Sequence, residues 1–153
     1  MALNLTTYRD VAVSHAMATG LFGQVLDHEP VSAPGNGLSA AFWVSRIGPV
    51  PAGSGLASTT ARLELMGRLF LPADTEPQGG VDVDLTGAAD ALLTAYTGDF
   101  DFGGTVRNVD LLGAHGTSLS AVFGYTSFTG GTTYRVATLT IPLIINNVWG
   151  QVA

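Results

Sequence analysis

Three histidines, His15, His28 and His115, are the residues best suited to hold a metal or shuttle a proton, and their spacing matches neither HExxH nor another ligand pattern. His15 falls on the apolar stripe of the first predicted helix, where the ordinary outcome is a core or interface histidine with a satisfied ring. No metal site is expected. Nucleophile patterns give as little: Ser54 lies in GSG and Ser118 follows GT, outside the GxSxG elbow that exposes a hydrolase serine between strand and helix. Gly98, Gly103 and Gly104 surround the segment DFDFGG, but a phosphate loop of the GxxxxGK type needs a lysine, and the chain has none. The most chemical content lies in Asp99 and Asp101, which alternate with Phe100 and Phe102. Two carboxylates in different environments across a cleft do acid and base work. More often such a loop sinks its aromatic residues into the core as anchors. No cofactor and no catalytic residue is assigned, and the chain is not expected to be an enzyme.

Elements of some bulk must position these residues. The 153 residues suffice for one core and are too few for two ordinary domains, so residues 1–153 are read as a single domain. Only 12% of residues are charged, against about 25% in an average soluble domain, which implies that protein covers part of the surface. All six cations are arginine, nine of the twelve acids are aspartate and the net charge is −6. That balance argues against general nucleic-acid binding, which draws most of its affinity from neutralised phosphates. With no cysteine, thiol chemistry and cysteine-based zinc sites are excluded and the redox compartment is left open. The opening MALNLTTYRDVAVSH lacks the cationic head and apolar run of a signal peptide. The longest strongly apolar stretch, residues 139–145, contains Thr140 and Pro142 and is too short to span a membrane. A soluble protein made in a cytoplasm is the expectation.

Periodicity predicts a helix over residues 7–28, with Tyr8, Val11, Ala12, Ala18, Phe22, Val25 and Leu26 at helical spacing and a capping box from Thr7 to Asp10. Gly20 and Gly23 predict a bend or break in its second half. Residues 38–47 read as a strand, followed by the glycine- and proline-rich loop 48–56 of a long hairpin. The return strand, 62–71, alternates Leu63, Leu65, Leu69 and Leu71 with Arg62, Glu64, Met66, Arg68 and Phe70. A second helix is predicted over 82–96, its Asp82 and Asp84 near the N-terminus where the helix dipole favours them. Strands are predicted over 105–112, 118–125 and 132–145, with a C-terminal tail at 146–153. The fold class is α/β in the α+β sense: a single antiparallel or mixed β-sheet packed by two helices on one face, with a long hairpin loop. Tyr125 and Phe128 flank the last turn, and Trp149 lies beyond the last predicted strand. Aromatic residues so placed are candidate contacts with a neighbouring subunit.

The order of elements and the segments GLFGQVLDHEP, GPVPAGSG leading into TARLELMGRLFLP, DLTGAADALLTAY and YRVATLTIPLIINNVWGQ together resemble the tail terminator proteins of long-tailed phages. The likeness spans nearly the whole chain and rests on no single diagnostic motif. It implies a small structural protein that closes into a ring, typically a hexamer, at the head-proximal end of the tail tube. There the ring stops tube polymerisation and meets a head–tail connector or neck protein. Its partners would be copies of itself, the tube protein and the neck protein; genomic DNA would pass through the lumen without specific binding, and no membrane is involved. Localisation would be the virion, in the neck region of the tail. In that setting the 48–55 loop, with Val50 and Pro51, is a candidate tube contact, and Asp99 and Asp101 are candidate lumen residues. Alternatives are a head-closure or tail-tube ring protein and, from another class, a small hydrolase or ligand-binding domain using the Asp99 and Asp101 loop.

Overall fold

The chain begins its first element where Asn4 caps helix α1 (Leu5–Ala18): the Asn4 side chain accepts a hydrogen bond from the Thr7 amide at 3.4 Å. The cap is therefore Asn4 and not a box opened by Thr7. The computed structural model describes residues 3–50, 58–128 and 130–150. Tyr8, Ala12 and Ala16 form the buried stripe of α1 at the expected spacing of four. After Ala18 the chain leaves the helix, and Gly20 takes a left-handed backbone at φ 70°, which a side chain would strain. The predicted second half of the helix is instead a strand, β1 (Gln24–Leu26), parallel to the start of β2 (Ser39–Pro49).

Strand β2 runs antiparallel to β3 (Ser58–Pro72), with a bulge between Val44 and Arg46. Phe42 lies opposite Gly67, and a Cβ at Gly67 would come within 2.7 Å of the Phe42 ring. Only glycine fits there without repacking. A short 3₁₀ turn, Gln78–Gly80, leads into helix α2 (Val81–Gly98), which buries Val81, Leu85, Ala88, Ala89, Leu92 and Tyr96. Asp82 and Asp84 sit in its first turn, as predicted. The Tyr96 hydroxyl donates to the Ala12 carbonyl at 2.9 Å, joining the two helices.

Of the predicted strand 105–112 only β4 (Asn108–Val109) forms, because residues 99–107 are used in a succession of turns. Strand β5 (Ser120–Ser127) and the long β6 (Thr133–Gly150) complete the sheet. Residues 146–150, read from sequence as a tail, belong to β6 and pair back onto β3, with Trp149 opposite Thr59. The extension passes a bulge in which Asn147 has a positive φ of 56° and accepts from the Ser58 hydroxyl at 2.8 Å.

The sheet is mixed and curled, in the order β1-β2-β3-β6, with β5 pairing the first half of β6 and β4 its second half. This is the α+β architecture of one sheet with two helices. The leucines of β3 and Leu139, Ile141 and Leu143 of β6 join α1 and α2 in the main core. Burying each large aliphatic or aromatic side chain contributes about 1.5–3 kcal/mol, so this layer holds the domain together. A smaller cluster of Ala41, Phe70, Tyr134 and Val136 lies apart from it, with Leu26, Trp43 and Phe128 packed against it. Cross-strand pairing places this cluster on the opposite sheet face, hereafter the outer face.

Candidate functional site

The loop after α2 brings one predicted pair residue to an unpredicted partner. Asp99 Oδ2 lies 2.8 Å from His15 Nε2 on α1, and Asp99 Oδ1 accepts from the Gly103 amide at 2.9 Å. The His15 hydrogen bond, helped by Gly103, holds the Asp99 carboxyl below its ordinary value. Phe102 is fully buried against Tyr96, with ring centroids 5.5 Å apart, and the His15 ring meets Tyr96 edge-on at 5.7 Å. Phe100 is 52% exposed, so the segment has one aromatic anchor where the sequence offered two. A histidine oriented by an aspartate is half of a nucleophile-activating triad. Among the described residues no hydroxyl bonds to the His15 ring, and the pair ties α1 to the loop after α2.

The densest polar cluster was not foreseen. Arg62 on β3 is only 8% exposed and donates to the Glu64 carboxylate and to the Thr117 carbonyl; its Nε lies 3.7 Å from Asp110 Oδ2. Asp110, 3% exposed, accepts from the amides of Ala114 and His115 at 2.8 and 2.9 Å. The loop between β4 and β5 is thereby clamped onto the outer face of the sheet. Gly116 is held so close that a Cβ would sit 2.8 Å from the Arg62 guanidinium carbon. Arg46, Glu64, His115 and Thr117 line a polar cleft of about 150 Å³ beside this clamp. Sequence offered only the i, i+2 placement of Arg62 and Glu64 on one strand face.

The middle of the outer face is open. Arg68 lies over the Trp43 ring, 5.6 Å from its centroid, and its Nε donates to Thr138 Oγ1 at 3.1 Å. No carboxylate among the described residues pairs with Arg68. Across the same row, Thr138 pairs with Val122 of β5, whose side chain is 70% exposed. β5 contains no charge and no proline, and among the described residues no strand pairs with its outer edge.

The predicted contact residues do not gather in one place. Tyr125 is exposed on β5 beside Arg135, whose guanidinium lies 4.7 Å from its ring centroid. Arg135 also binds Asp82 at 2.9 Å. Phe128 packs into the small outer cluster, 5.6 Å from Tyr134 and 5.9 Å from Phe70, so most of its surface serves the chain itself. Trp149 is 37% exposed near the end of β6. Val50 is buried and its amide bonds the Thr60 carbonyl at 2.8 Å, which leaves its side chain no surface to offer a tube contact. Pro51 and Ser54, with the rest of loop 51–56, lie outside the described residues. Among the described residues no group of three potential metal ligands occurs. No family model matches the chain, and no curated protein matches it.

Proposed function

We propose that this chain is a structural ring subunit of a phage tail, the terminator that caps the head-proximal end of the tail tube and presents a surface for head joining. The observation that carries the reading is the asymmetry of the sheet: helices cover one face, while the middle of the outer face stays open with Val122 exposed and the edge of β5 is unpaired among the described residues, with Tyr125 exposed on its helical side. Two unlike surfaces on one subunit make a heterologous contact, which closes into a ring when the rotation permits and runs into a filament when it does not. A low charged fraction fits a surface largely shared between copies. Repeated around a ring, the net charge of −6 gives a lumen past which DNA slides without being held, Asp99 and Asp101 being candidate lining residues. In this reading the chain works by shape, with the tube protein and a neck protein as partners in the virion. Light scattering on the purified chain separates it from a tube subunit: a terminator stays a monomer or stops at one discrete ring, and long open tubes would overturn the proposal.

A further inference from the structure

The outer face and the helical layer carry complementary features. Arg68 lies over Trp43 and is tethered through Nε to Thr138, which leaves its two terminal NH2 groups to face a carboxylate. Val122 stands two strands away in the same row, about 9–10 Å distant, as an apolar knob. On the helical side, Leu21, Leu38, Leu71, Val83 and Gly87 line an open apolar groove of about 500 Å³. Asp84 stands on its rim, exposed and without an ion-pair partner among the described residues.

We infer that the outer sheet face of one copy docks on the helical layer of a second copy, Val122 entering the groove beside α2 and Arg68 gripping Asp84. The two surfaces lie on opposite sides of the subunit, so the contact is heterologous and every copy gives one and receives one. Charge favours this occupant: the guanidinium needs a carboxylate, and the acids Asp82, Asp84 and Asp90 lie along α2 of the same chain. A nucleic-acid phosphate is the competing ligand of the guanidinium. The inference rests on the self-assembly part of the proposed function and is independent of the tail.

The test is a charge exchange followed by sedimentation velocity. Arg68→Glu and Asp84→Arg are each expected to weaken self-association about 30-fold or more, the effect of opposing a charge at such a contact. An equimolar mixture of the two variants restores a pair at every contact by alternating them, and assembly is expected to return to within a few-fold of the unaltered chain. The mixture also separates lost contact from lost folding, because a misfolded chain is not rescued by its partner. The inference is overturned if the unaltered chain stays monomeric at all concentrations or if the single variants assemble normally. It is also overturned if the mixture does not recover, or if Arg68→Glu abolishes DNA binding while leaving assembly intact. Assembly that persists through the exchanges would remove this contact and leave the ring reading standing; normal tails in a phage lacking the gene would remove the tail reading and leave the contact.

Discussion

Replacing Arg62 by methionine tests how the outer loop is held. The side chain is 8% exposed and faces two carboxylates, Glu64 and Asp110, the second of them 3% exposed. Methionine fills much of the volume but leaves both acids without a countercharge where little water reaches them. Breaking a buried pair from one side costs about 3–5 kcal/mol. The Thr117 carbonyl also loses its donor. Against a typical total stability of about 5–15 kcal/mol, the loss is about a fifth or more, and for a domain of this size it lowers Tm by about 6–20 °C. Urea denaturation followed by far-ultraviolet circular dichroism measures it as a fall in midpoint at unchanged slope. The triple variant Arg62→Met, Glu64→Gln, Asp110→Asn removes the uncompensated charge and is expected to recover part of the loss, because an amide side chain at 110 can accept from only one of the Ala114 and His115 amides. A single variant within about 1 kcal/mol of the parent would contradict the clamp, since that is the range of an exposed pair.

Three further outcomes follow from the same structure. Gly67→Ala places a methyl 2.7 Å from Phe42 Cε1 and should destabilise by about 1–3 kcal/mol, measured by the same denaturation and relieved by Phe42→Leu. Tyr96→Phe deletes the bond to the Ala12 carbonyl and should lose about 0.5–1.5 kcal/mol with the fold retained, seen as faster hydrogen exchange in α1. His15→Ala should reshape the acid limb of the stability curve. Because His15 holds the Asp99 carboxyl below its ordinary 3.8, that stabilisation is fully present above pH 3.8 and is lost as pH falls through the lower folded-state value. The gap between parent and variant should therefore close in strong acid, and a gap that widens there would contradict the pairing.

What the sequence disclosed follows from the range of the forces involved. Strand β3 was legible because period-two alternation separates its leucines from Arg62, Glu64, Met66 and Arg68 over a whole element. Helix α2 was legible for the same reason at period 3.6. Past Gly20 the apolar residues Phe22, Val25 and Leu26 keep helical spacing, yet a left-handed glycine and pairing to β2 turn the segment into β1. A three-residue strand whose partner lies beyond a long connection leaves no periodic signal of its own. The His15–Asp99 bond joins residues 84 apart, and the Arg62–Asp110 pair depends on β3, β6 and β4 lying side by side. Trp149 shows the limit in the other direction: its neighbours Asn146 and Asn147 look like a chain end, but they form a bulge that returns the strand to β3.

Electron microscopy of a phage from which the gene is deleted tests the proposed terminator role most directly. The account predicts overlong or irregular tails unattached to heads. Tails of normal length joined to heads would contradict it.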